Sequence, residues 1–155
     1  MAKKNLLIIA HAPSPNTQKL RDEIIAGAER AATESVEILC RSPFDAGPNE
    51  VLSADALILG TPENLGYMSG ALKDFFDRIY YPCLEDTQGL PYALYIRAGT
   101  DGTGTQRGVE TIVAGLRWRA IQKPLILRGN FTDSFGGQCR ELGMGITAGL
   151  DVGIF

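Results

Sequence analysis

Four short aliphatic runs punctuate the chain: Leu6 to Ala10, Ala56 to Gly60, Tyr92 to Arg97 and Pro124 to Arg128. Unbroken apolar runs of this length read as strands buried on both faces. Val36 to Cys40 is a fifth, weaker run. Between them the period changes. Thr17 to Ala32 places Leu20, Ile24, Ile25, Ala28 and Ala31 three and four apart on one stripe, which predicts an amphipathic helix. Ser69 to Tyr80 repeats the pattern with Leu72, Phe75, Phe76 and Ile79, while Lys73, Asp74, Asp77 and Arg78 fall on the other face. A third helix is expected from about Thr105 to Trp118, through Val109, Ile112, Val113 and Leu116. A fourth occupies part of Thr132 to Leu150. There, Gly136, Gly137, Gly143, Gly145 and Gly149 each cost about 1 kcal/mol relative to alanine, which predicts a short or broken helix. Ser42 to Glu50 reads as a loop.

Strands alternating with helices imply a parallel sheet covered on both faces, because each right-handed crossover passes over the sheet. No repeat, low-complexity stretch or linker divides the chain, so residues 1–155 are expected to form one α/β domain. In such sheets ligands bind outside the carboxyl ends of the strands. Function is therefore expected in the loops after the first, third and fourth strands.

Composition narrows the classes. A hydrophobic fraction of 45% with 21% charged residues is that of an ordinary globular protein. A net charge of −3 without a Lys/Arg block excludes a nucleic-acid surface. The apolar stretch after Met1-Ala2-Lys3-Lys4 is too short for a signal sequence and lacks a small-residue cleavage pattern, so no membrane segment and a cytoplasmic location are expected. Cys40, Cys83 and Cys139 form no C-x-x-C pair and no cluster with the single histidine, His11. They read as packing residues, and no metal site is expected.

The loop His11-Ala12-Pro13-Ser14-Pro15-Asn16-Thr17-Gln18 leaves a strand and opens a helix, where free N–H groups and the helix dipole favour a phosphate. Ser14 and Thr17 add hydroxyls, Asn16 an amide and His11 an imidazole; the competing reading is that Asn16 and Thr17 cap the helix. The loop after the third strand contains Thr61-Pro62-Glu63-Asn64-Leu65-Gly66-Tyr67-Met68 and runs into Ser69-Gly70-Ala71-Leu72-Lys73-Asp74-Phe75-Phe76-Asp77-Arg78. Pro62 stiffens the exit from the sheet, and Gly66 permits a conformation or close approach that other residues resist. The loop Ala98-Gly99-Thr100-Asp101-Gly102-Thr103-Gly104 holds a G-x-G pattern. Arg107 at the third glycine position and the pattern's place on the fourth strand argue against a dinucleotide fingerprint.

Two of these loops carry a resemblance. Ser14-x-Asn16-Thr17-Gln18 resembles the phosphate loop of flavodoxins, with Pro13 and Pro15 standing where that family has glycines. Thr61-Pro62 followed by Gly66 and the helix Lys73-x-Phe75-x-Asp77 is similar to the signature of NAD(P)H-dependent FMN reductases and flavodoxin-like quinone reductases. The resemblance implies a flavodoxin-like, doubly wound five-stranded parallel sheet of order 2-1-3-4-5 with helices on both faces. It implies noncovalent FMN, its phosphate on His11, Ser14, Asn16 and Thr17, and its ring along Thr61 to Met68 and against Ala98, Gly99, Thr100, Asp101, Gly102 and Gly104. Backbone N–H groups from Asn64 to Tyr67 would meet the ring edge, Tyr67 and Glu63 would line its face, and the flavin itself would carry the chemistry. The function implied is an NAD(P)H-dependent reductase of flavin, quinone or a similar small acceptor. A flavodoxin-type electron carrier and a degenerate interaction domain are the alternatives. Arg107 has two readings, a solvated helix position and a contact for an NAD(P)H phosphate. A homodimer covering the flavin through Trp118, Tyr80, Tyr81 and Pro82 is a further implication.

Overall fold

The computed structural model describes residues 3–155. Met1 and Ala2, part of the N-terminal stretch weighed above against a signal sequence, lie outside the described residues. The elements in order are β1 (Lys4–Ala10), α1 (Pro15–Ala31), β2 (Val36–Arg41), α2 (Pro48–Leu52), β3 (Ala56–Asn64), β4 (Tyr67–Met68), α3 (Gly70–Cys83), β5 (Pro91–Ala98), α4 (Thr103–Leu116), β6 (Arg119–Ala120), β7 (Leu125–Arg128) and α5 (Asp133–Val152). The sheet runs β2-β1-β3-β5, and β6 and β7 both pair with the outer edge of β5. These pairings are parallel; β4 alone pairs antiparallel, with β3. Residues 121–124 interrupt the fifth strand, and Pro124, which has no N–H for the ladder, precedes β7 instead of opening it. The expected order 2-1-3-4-5 is thus the observed one, with its last strand in two pieces.

Leu6 and Ile8 point to one face of the sheet, where α1 and α5 cover them, and Leu7 and Ile9 to the other, beneath α3 and α4. That alternation puts both faces of β1 in the core, which is why the run contains no polar residue. Phe75 and Phe76, no more than 1% exposed, anchor α3 to the sheet.

Three expectations need correction. The last helix is continuous over Asp133–Val152 despite its glycines. A Cβ on Gly143 would overlap the Ile24 carbonyl of α1, and one on Gly27 would overlap the Arg140 carbonyl of α5. The bare backbones let α1 and α5 close together, and this packing outweighs helix propensity. Ser42 to Glu50 is not merely a loop: Pro43–Asp45 forms a 3-10 turn and Pro48 starts α2. Trp118 is no surface residue. It is 6% exposed, lies against the rings of Phe76 and Tyr92, and donates its indole N–H to the Thr87 hydroxyl at 2.9 Å. Tyr81, by contrast, is 80% exposed.

Candidate functional site

The carboxyl ends of β1, β3 and β5 bring the three singled-out loops to one rim of the sheet. At β1, the His11 amide donates to the Gly60 carbonyl at 3.0 Å and fixes the strand exit. Ser14 is the N-cap of α1 and Pro15 its first residue, a position that suits proline because the N–H there is unpaired anyway. Ser14 Oγ accepts from the Thr17 amide at 3.2 Å, and Thr17 Oγ1 accepts from the Ser14 amide at 3.0 Å. The Thr17 hydroxyl donates in turn to the Ser14 carbonyl at 3.0 Å. Ser14 and Thr17 therefore cap the helix, and Thr17 is buried. The Asn16 amide makes no hydrogen bond to the described chain, and its side chain is exposed. An anion at this helix end meets that amide and the helix dipole, while the Ser14 hydroxyl is engaged with Thr17 Oγ1 at 2.8 Å.

At β3 the strand continues past Gly60 to Asn64, and the chain turns at Leu65 and Gly66, with φ of 53° and 75°. Two successive left-handed residues make the tight hairpin turn that joins β3 to β4, in the register Asn64 opposite Tyr67. The base of the hairpin is held from below. The buried Thr61 hydroxyl donates to the Pro62 carbonyl at 2.8 Å and accepts from the Ser69 amide at 3.0 Å. Ser69 caps α3 through the Leu72 amide, and Met68 is in the core. The tip leans on α4, where a Cβ on Gly104 would overlap the Gly66 carbonyl and one on Gly108 the Tyr67 ring.

At β5 the loop is tied to the hairpin. The Glu63 carboxylate accepts from the Gly102 amide at 2.9 Å and from the Thr100 hydroxyl and amide at 3.1 and 3.4 Å. Gly102, at φ 74°, starts α4. Arg128 donates to the Asp101 carbonyl at 2.6 Å, and Arg97 to the carbonyls of Ala98 and Leu127 at 2.7 and 3.1 Å. The Thr103 hydroxyl and amide hold the Asp101 carboxyl below its usual range.

These contacts divide the expected residues into two groups. Thr61, Pro62, Met68, Ala98 and Gly102 are buried supports, Gly104 is the close-approach point for the hairpin, and Glu63 is the tie between loops. Asn16, Asn64, Leu65, Gly66, Tyr67, Gly99, Thr100 and Asp101 are exposed on the rim. Leu65 is fully exposed and Tyr67 38% exposed, and the amides of Leu65, Gly66, Gly99 and Asp101 have no acceptor in the described chain. Apolar surface beside free donors is the combination that a flat heteroaromatic ring with a polar edge requires, so the rim fits the group implied by the sequence. His11 lines a cleft between the loop after β1 and the segment after β2, together with Arg41 and Phe44. Arg97 and Arg128 had no distinguishing signal in the sequence beyond lying at strand ends.

The topology and the placement of the loops define a flavodoxin-like protein. A model of the family described as NADPH-dependent FMN reductase matches residues 42–133, more than half of the 155 residues, and the chain belongs to that family. A flavodoxin of Aquifex aeolicus is 27% identical over 111 residues, 72% of this chain and 59% of that protein. The chain thus spans less than two thirds of the length of that curated relative. Among solved structures, a flavodoxin from the domain Archaea superposes with a TM-score of 0.77 at 19% identity, over 92% of this chain and 96% of that one. An apo NADH:FMN oxidoreductase gives 0.73 at 16% identity, over 94% and 89%. Both share the fold. Among the described residues no helix is long and apolar enough to cross a membrane, and no cluster of metal-ligating side chains occurs.

Proposed function

We propose that the rim binds FMN and that the protein transfers reducing equivalents from NADPH to a small acceptor such as a free flavin or a quinone. The observation that carries this reading is the Glu63 tie, which locks a hairpin with an exposed apolar tip against the loop after β5 and leaves turn amides free on both sides. Family membership supports the same reading. In it, the Asn16 amide and the α1 N-terminus hold the phosphate, with Ser14 and Thr17 fixing that helix end. The amides of Leu65, Gly66, Gly99 and Asp101 meet the polar ring edge, and Leu65 and Tyr67 cover apolar surface. Bound flavin would supply the hydride chemistry; the residues here bind and orient it, and preorganised amides favour negative charge at the ring edge.

The match to a flavodoxin favours a second reading, an electron carrier without nucleotide oxidation. Titrating the FMN-free protein with FMN and following flavin fluorescence tests the shared part: saturable quenching is expected, and its absence defeats both readings. Anaerobic NADPH then separates them, since a carrier is reduced by dithionite and not by the nucleotide.

A further inference from the structure

Two arginines hold the loop after β5 by its carbonyls. Arg97 donates from Nη1 to the Ala98 carbonyl at 2.7 Å and to the Leu127 carbonyl of β7 at 3.1 Å. The Ala98 carbonyl also accepts from the Gly129 amide, just past β7, at 3.0 Å. β7 flanks β5 on the side away from β3, so these bonds turn the Ala98 carbonyl outward. In a trans peptide the C=O and the following N–H point in opposite directions. The Gly99 amide is thereby turned inward, toward β3 and the hairpin, and it has no acceptor in the described chain. The peptide between Asp101 and Gly102 is fixed in the same manner, with Arg128 on its carbonyl and Glu63 on its amide.

Arg97 is itself held in place. Its guanidinium carbon lies 5.3 Å from the Phe135 ring centroid and 5.9 Å from that of Phe131, and the two rings meet edge to face. The side chain is half-buried and forms no ion pair among the described residues, unlike Arg78 and Arg140, which face Asp74 and Glu23. Joining two carbonyls needs only a donor, which a neutral side chain also supplies. A half-buried charge without a carboxylate costs free energy, which the aromatic contacts offset in part and a negatively charged ligand nearby would offset further. Reduced flavin is such a ligand, because it carries added negative charge at its polar ring edge. We propose that Arg97 is a positioning residue for the flavin: it turns the Gly99 amide toward the ring edge, and its unpaired charge tightens the hold on reduced FMN relative to oxidised FMN. The proposal rests on the FMN binding that the reductase and carrier readings share, and not on the choice of reductant.

The two-electron midpoint potential of the FMN-loaded protein, measured by anaerobic dithionite titration against a reference dye, compares the affinities for the two oxidation states and is blind to a loss common to both. Arg97→Gln keeps a donor for the carbonyls and removes the charge. It is expected to weaken oxidised FMN about fivefold, the worth of one net hydrogen bond. Reduced FMN should weaken about tenfold more than that, which lowers the potential by roughly 30 mV. Arg97→Lys keeps the charge without the fork, and should weaken oxidised FMN by a similar factor while the potential stays that of wild type. Should the glutamine variant fail to fold, Arg97→Met, whose stem packs on the same two rings, makes the same comparison and should show the same fall. A potential unmoved by loss of the charge, or lowered equally by lysine, overturns the proposal and leaves Arg97 a strap between β5 and β7. A wild-type protein that binds no FMN in the fluorescence titration defeats the FMN reading and the proposal with it, whereas FMN binding with an unmoved potential defeats the proposal alone.

Discussion

Replacing Glu63 by alanine removes the carboxylate that joins the hairpin to the loop after β5. Its strongest bond is to the buried Gly102 amide at 2.9 Å, and removal leaves that donor without an acceptor. A buried donor bonded to a charged acceptor costs about 1.5–3 kcal/mol when orphaned. The two bonds to exposed Thr100 add little, because water replaces them. The expected loss is about 2 kcal/mol, or roughly 4–8 °C in Tm for a domain of this size. Urea denaturation followed by Trp118 fluorescence measures it cleanly: Trp118 is the single tryptophan, is buried, and lies far from the substitution in sequence. Glu63→Gln keeps one carbonyl oxygen for the Gly102 amide and should lose about 1 kcal/mol or less. FMN affinity should fall in the same order. Wild-type stability in Glu63→Ala, or a glutamine variant as unstable as the alanine one, would refute the tie.

Gly104→Ala places a methyl group on the Gly66 carbonyl and should weaken FMN binding and cost about 1–3 kcal/mol, whereas Gly99→Ala, with open space around its Cβ position, should fold like wild type. Along α5, Gly145→Ala points into open space and should stabilise by up to about 1 kcal/mol in thermal melts, while Gly143→Ala should destabilise by forcing α1 away. Burial lowers the His11 pKa from its ordinary 6.5, so the unfolded chain takes up the proton first. The stability contributed by neutral His11 is complete above 6.5 and is lost as pH falls through the lower folded value; the stability gap between wild type and His11→Gln should shift against wild type over that window, and a gap that ignores pH contradicts the burial. Cys139 is pushed up to about 12 by burial, and Cys83 is raised as well, so a thiol reagent near neutral pH should modify at most Cys40 until the protein unfolds.

The sheet was legible because its strands are buried on both faces and appear as uninterrupted apolar runs, and α1 and α3 because one stripe of each meets the core. α5 was misread because glycine propensity is a local property, whereas the closeness of Gly27 to Arg140 and of Gly143 to Ile24 exists only once two distant helices meet. The hairpin was hidden for a local reason: Gly66 stood out as a conformational exception, but Leu65, with φ 53°, is an unusual residue for a left-handed position and did not mark the first half of a two-residue turn. Of the candidate site, the three loops and their meeting at one rim followed from strand order alone. The division of labour within them did not. Glu63 reaches Thr100 and Gly102 across more than thirty-five positions, and Ser14 and Thr17 spend their hydroxyls on each other, neither of which a motif displays. Trp118 read as a surface aromatic because its partner Thr87 is far away in the chain.

In the reductase proposed above, bound FMN is expected to be reduced by a nicotinamide nucleotide. Rapid anaerobic mixing of the FMN-loaded protein with NADPH, followed by the flavin absorbance band, tests it most directly. Bleaching that saturates with NADPH concentration and reverses on adding a quinone is the expected result. A band that persists with NADPH and NADH alike, yet bleaches with dithionite, would contradict the reductase and leave an electron carrier.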